Sequence, residues 1–189
     1  SGPLRFACEC GALRGHMDEA ALRHGLHIVC HCADCRAAEI HLGRPDPFPA
    51  PVDLYQTSPD FIHIDEGAAH LGLFRLGPKG LLRWHATCCG APLFNTLASS
   101  RLPFVGVLTA RLDAPERLGP VRGKGFVPQP GGKSRHEGGG AIAWGVISRM
   151  ISARLSGRWR RSPFFDLETG EPVAPAQVLT REARAALYP

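Results

Sequence analysis

Cys30-His31-Cys32-Ala33-Asp34-Cys35 places three thiols within six residues, in the order C-x-C-x-x-C. Thiols this close along the chain are poor disulfide partners, because a bridge needs Cα atoms about 5.5 Å apart and a fixed dihedral. A short turn can instead aim all three sulfurs at one ion about 2.3 Å away. The chain has seven cysteines, and the other four form two pairs, Cys8/Cys10 and Cys88/Cys89. A structural metal site takes four protein ligands, whereas a reactive one keeps a position free. A quartet and a trio are therefore the pattern of one closed and one open site. Burial of thiols as small hydrophobes accounts for a lone cysteine but not for seven in three clusters.

The segments around these cysteines read as short strands. Leu4–Ala7 and Ala12–Gly15 flank the Cys8-Glu9-Cys10-Gly11 turn, where Gly11 can take the positive φ that lets amides face sulfur. The stretch 24–29 runs as a strand into the central cysteine turn, and 33–41 has the composition of a short helix stopped by Gly43 and Pro45. Further strands are expected at 52–55, 61–64, 69–75, 81–85, 92–95 and within 102–112, with turns between them at Ser58-Pro59-Asp60, Glu66-Gly67 and Gly77-Pro78. The 22 glycines and 17 prolines favour this turn-rich, mainly β architecture.

At 189 residues, 44% hydrophobic and 21% charged, the chain has the size and balance of a globular protein with one well-buried core. It holds no run of about 18 apolar residues, so no membrane span is expected. No basic start followed by an apolar run marks a signal peptide, and the cysteine count is odd and clustered. A reducing cytoplasm is the compartment these features imply. The net charge of +5 allows a polyanionic partner without requiring one. Arg158-Trp159-Arg160-Arg161 is too short a basic patch, with one interleaved aromatic, to make nucleic acid the expected partner.

Residues 119–140, rich in Gly, Pro and Lys, read as a mobile loop. Gly132-Lys133-Ser134 within it does not make a phosphate loop, because the pattern needs glycine where Val127 stands. Residues 141–158 form an amphipathic C-terminal helix in projection. Ala143, Val146, Ile147, Met150, Ile151 and Leu155 share one face, expected to pack inward, with Arg154 in the middle of that arc as a snorkelling or ion-paired side chain. A last short helix is expected over 181–187 with Thr180 as its N-cap.

The ordered set Cys8-Glu9-Cys10-Gly11, C-H-C-x-x-C-R from Cys30 to Arg36, and Cys89-Gly90 resembles the glutathione-dependent formaldehyde-activating (Gfa-like) enzymes and their centromere-protein-V-like relatives, over roughly residues 5–97. The resemblance implies small twisted antiparallel sheets pinned by two zinc ions per chain. Cys8, Cys10, Cys88 and Cys89 would hold the structural ion, and Cys30, Cys32 and Cys35 the reactive one. The implied activity is that of a carbon–sulfur lyase acting on the adduct of a small aldehyde with a thiol such as glutathione. His31 or Arg36 would orient an anionic thiol or serve as supports around the metal.

The chain departs from that pattern at one place. The family ends in C-x-x-C-G, and Ala86 stands where the first of those cysteines is expected. Cys88 lies adjacent to Cys89 instead, and two consecutive thiolates meet one metal only through an unusual turn, so His85 is the replacement candidate for the fourth ligand. Residues 101–189 have no counterpart in the compact family domain and are expected as an extension packed on residues 1–100. Two other readings stand beside the enzyme: a non-catalytic zinc-stabilised protein that binds a protein or nucleic-acid partner, and a redox thiol protein whose disulfides respond to reductant without metal.

Overall fold

The computed structural model describes residues 2–188. The chain is mainly β, with twelve strands in two sheets and three α-helices among the described residues. The smaller sheet pairs β1 (Leu4–Ala7), β2 (Arg14–Met17) and β5 (Ile62–Glu66) in the order β1-β2-β5, all antiparallel. The larger sheet contains β3 (Leu26–Cys30), β4 (Val52–Thr57), β6 (Leu71–Arg75), β7 (Leu82–Ala86), β8 (Pro92–Thr96), β9 (Val105–Leu108), β10 (Gly123–Pro128), β11 (Ser134–Glu137) and β12 (Ala176–Val178). Its order is β11-β10-β3-β4-β9-β8-β7-β6-β12, antiparallel except where β10 joins β3 and β12 joins β6.

Strand alternation divides the larger sheet into two faces. On one face Trp84, Phe94, Val107 and Tyr55 follow one another across the register, and all are buried. They pack with Leu4, Phe6, Met17 and Ile62 of the smaller sheet into the main core, which Phe164 caps with its ring 5.1 Å from Trp84 and 5.2 Å from Phe94. The one indole N–H inside this layer is satisfied by Thr96 Oγ1 at 2.9 Å. The opposite face carries α1 (Ala33–His41), whose Ala37 and Ala38 sit against Phe74 and Leu76.

Residues 101–188 are woven into this architecture. β9 lies between β4 and β8, in the interior of the larger sheet. The tail returns through β12 and α3 (Arg181–Ala185), and brings Leu179, Leu187 and Tyr188 against α1. Thr180 caps α3 as the sequence predicts, its hydroxyl accepting from Ala183 N–H at 3.1 Å.

Two expectations are corrected. The Gly-rich stretch 119–140 is a paired hairpin, β10–β11, which extends the larger sheet beyond β3. Backbone pairing with β3 places it there, helped by Lys124–Glu137 at 3.3 Å across the hairpin, so low apolar content does not exclude a strand. The second correction concerns α2 (Gly139–Leu155), which turns its apolar arc outward. Leu155 is 85% exposed, Trp144 71%, and Ile151 and Ile147 about half, whereas Ala153 is the residue fully buried. The helix approaches the sheet through its small and polar side. Ile142 fills the space above Gly123, and Arg149 is turned inward, where burial pushes its pKa down. Arg154 points out and lies 4.8 Å over the Trp159 ring, which Arg160 flanks at the same distance.

Among the described residues no helix is long and apolar enough to cross a membrane.

Candidate metal centres and the cleft at the central trio

The two knuckles meet at the first centre. Cys8 N–H donates to Leu13 O at 3.0 Å and Gly11 N–H to Cys8 O at 3.1 Å, with Gly11 at φ +76°, so the turn folds back with its sulfurs on one side. The second knuckle is closed by Gly90 N–H donating to Ala86 O at 2.7 Å, with Gly90 at φ +77°. That tight closure brings both members of the Cys88-Cys89 pair to the cluster. Sulfur–sulfur distances are 3.6 Å for Cys8–Cys10, 3.7 Å for Cys8–Cys88 and 3.3 Å for Cys10–Cys88, and Cys89 completes a group whose atoms all lie within 4.8 Å. Four thiolates about 2.3 Å from one tetrahedral ion stand roughly 3.8 Å apart. The quartet is therefore dimensioned for such an ion, and every cysteine of the chain is free of disulfide.

Electrostatics agree with that use. Burial alone would raise the Cys8 thiol, but the Leu13 amide and the sulfurs of Cys10 and Cys88 outweigh it and bring its pKa down to about 6. Glu9, between the two cysteines, accepts from Arg44 at 2.6 Å and lies 3.2 Å from Arg111, tying the knuckle to the segment after α1. His85 is not part of the group. Its ring lies 5.7 Å from that of Phe74, and burial lowers its pKa. Of the two candidates for the fourth position, the fold brings Cys88 to the group and leaves His85 outside it.

The second centre sits where β3 ends and α1 begins. Cys32 is the N-cap of α1 and accepts from Cys35 N–H at 3.3 Å, which places its sulfur at the positive end of the helix. The sulfurs of Cys30, Cys32 and Cys35 lie within 4.8 Å of one another, and no fourth His, Cys, Asp or Glu among the described residues joins them. The neighbouring thiols of Cys30 and Cys35 hold Cys32 well below the usual thiol range, while their own pKa values are raised. Both cysteine groups thus have the donor chemistry and spacing to hold metal ions. A third group, His16, Asp18 and His63, is only half-buried on the smaller sheet.

Two expected supports of the central thiols lie elsewhere. Arg36 donates to Asp46 at 2.9 Å and stacks over Phe48 at 4.7 Å, and this pairing holds the Asp46 carboxyl down to about 2. It anchors the loop after α1 and does not reach the cleft. His31 does not line the cleft either; its backbone N–H donates to Gly125 O at 2.9 Å and so fastens β10 beside the thiols.

The central trio opens onto a cleft of about 580 Å³. Its floor is the face of the larger sheet opposite the core. The register aligns Arg83, Asn95, Gly106 and Gln56 in one row across β7, β8, β9 and β4. Arg83, only 6% exposed, donates to Asn95 Oδ1 at 3.5 Å, and its positive charge lowers the pKa of Cys32. Gly106 leaves the middle of the row without a side chain. The far wall is the β10–β11 hairpin, where Phe126 holds φ +54°, a left-handed conformation that costs a non-glycine residue energy. Its amide donates to His136 Nδ1 at 3.4 Å, and both rings line the cleft. No sequence motif marks this row, because only strand pairing brings it together.

The description of one family model, a family of unknown function (DUF6151), matches residues 1–176. The chain belongs to that family. No curated protein matches this DUF6151 chain. A crystal structure of a Rhodobacter sphaeroides protein aligns with it at 22% identity and a TM-score of 0.43, covering 62% of this chain and 96% of that one.

Proposed function

We propose that this chain is a zinc-dependent enzyme of the Gfa-like kind, which makes or breaks a carbon–sulfur bond between a thiol and a small aldehyde. The observation that carries the reading is the trio of Cys30, Cys32 and Cys35, which no fourth His, Cys, Asp or Glu among the described residues joins and which faces the cleft. Cys8, Cys10, Cys88 and Cys89 would hold a structural zinc whose binding energy is folding energy. Zinc at the trio, when bound, supplies a position at which an incoming thiol gives up its proton.

The protein's own groups then have definite work. Addition joins the thiol sulfur to the carbonyl carbon; the carbonyl π pair moves to oxygen and takes up the proton the thiol gave, and cleavage is the reverse. Arg83 faces the site as a buried cation that makes no salt bridge among the described residues, and it offsets the negative charge that three thiolates and a substrate thiolate accumulate. It also has donors for the oxygen on which charge develops. Phe126, Ile142 and Leu54 give the cleft apolar walls.

The test combines metal analysis with an assay of aldehyde release from a hydroxyalkyl thioether. Two zinc ions per chain and release that is lost in Cys32→Ser are expected. Metal bound without any such activity, toward any thiol tried, would favour the non-catalytic binding protein, a reading supported by the exposed Trp144, Ile147, Ile151 and Leu155.

A further inference from the structure

The geometry points to an uncharged, apolar thiol as the partner of this cleft, bound as an adduct that carries one hydroxyl, and not to glutathione. The inference rests on the proposed thiol chemistry and names its substrate class. The cleft walls are built mainly of carbon: Ile28, Leu54, Leu81, Phe104, Phe126 and Ile142. Glutathione brings two carboxylates and an ammonium, and each needs a partner of opposite charge if it leaves water. The charged lining residues are Asp34 and Arg83, with His136 at the hairpin. Asp34 is already engaged, accepting from Tyr188 Oη and facing Arg184 at 3.5 Å. Arg83 is buried on the floor beside the thiols. A peptide with two carboxylates would therefore leave at least one of them unpaired against apolar side chains.

The polar requirement of the floor is small and specific. Gln56 is 8% exposed and lines the cleft, and its enclosed Oε1 has no hydrogen-bond donor among the described residues. A buried acceptor left empty is costly, so a ligand whose O–H meets it as the amide turns toward the cleft is favoured over one bringing none. Addition of a thiol to an aldehyde creates one hydroxyl, on the carbon next to sulfur. Gly106, between Gln56 and Asn95 in the row, leaves the room: a Cβ there meets nothing nearer than 3.9 Å.

The experiment uses the full chain loaded with cobalt(II), whose thiolate absorption reports an added sulfur ligand, titrated with benzyl mercaptan and with glutathione. Benzyl mercaptan is expected to perturb the spectrum with a Kd at least about tenfold below that of glutathione. Gly106→Leu, which fills the floor, is expected to weaken benzyl mercaptan by a similar factor while cobalt uptake stays at two per chain. Glutathione binding as tightly as benzyl mercaptan would overturn the inference and leave the thiol chemistry standing. Cobalt uptake unchanged by Cys32→Ser, or cobalt at the trio that neither thiol perturbs, would instead overturn the underlying reading. The wild-type comparison decides the matter even if Gly106→Leu fails to fold.

Discussion

Cys10 Sγ lies 3.3 Å from Cys88 Sγ although 78 residues separate them in the chain. This contact joins the turn after β1 to the turn after β7, and so ties the smaller sheet to the larger one. Removing one of these ligands is expected to act on folding. Structural zinc binding is worth about 10–16 kcal/mol in small zinc-folded domains. A loss of even about 5 kcal/mol corresponds to a Tm lower by roughly 10–20 °C at this chain length. Thermal melts of Cys10→Ser and Cys88→Ser should show such a fall together with the loss of one metal per chain. Cys32→Ser should lose one metal with a much smaller fall, and equal melts for the two classes of variant would contradict the division of roles.

His85 and Cys88 make a direct contrast. His85 packs against Phe74 outside the quartet, whereas Cys88 lies 3.7 Å from Cys8. His85→Ala is therefore expected to keep two metals per chain, and Cys88→Ala to keep one, as read by elemental analysis. Loss of metal in His85→Ala would return the histidine to the ligand set.

The charge of Arg83 lowers the pKa of the thiols it faces, Cys32 and Cys35. Metal ions compete with protons for thiolates, so a lower thiol pKa allows loading at lower pH. Arg83→Met removes that charge, the thiols become harder to deprotonate, and the pH midpoint of metal uptake at the trio should rise. The quartet's midpoint should stay in place, and a cobalt titration across pH reads the two sites separately. A fall in the trio's midpoint would show that the sign of the Arg83 contribution is wrong.

Ile151 stands on the outward face of α2 and is about half exposed. Ile151→Glu is expected to change stability by no more than about 0.5 kcal/mol, as other surface substitutions do. A denaturant melt showing a loss of several kcal/mol would mean that the apolar arc is buried in solution.

The sulfur clusters, the helix behind Cys32 and most of the strands were legible in the chain, because knuckle spacing and alternation are local signals. What escaped depended on partners far away in sequence. Arg83, Asn95, Gly106 and Gln56 share a row only once β7, β8, β9 and β4 pair. β10 reads as a loop because glycine and proline hide its backbone pairing with β3. For α2, periodicity identifies which side chains share a face, yet says nothing about which face meets the sheet. There the close approach at Gly123 and the burial of Ala153 decided the outcome. The adjacent Cys88-Cys89 pair looked strained as a ligand pair until the turn at Gly90 was known.

In the proposed division of roles, one cysteine group encloses its ion and the other leaves a position for a thiol. Anomalous scattering from crystals of the full chain at the zinc edge tests both halves at once. The account predicts two peaks, one surrounded by Cys8, Cys10, Cys88 and Cys89, the other bound by Cys30, Cys32 and Cys35 with a fourth ligand that does not come from the protein. No peak at the trio, or a fourth protein side chain closing it, would contradict the account.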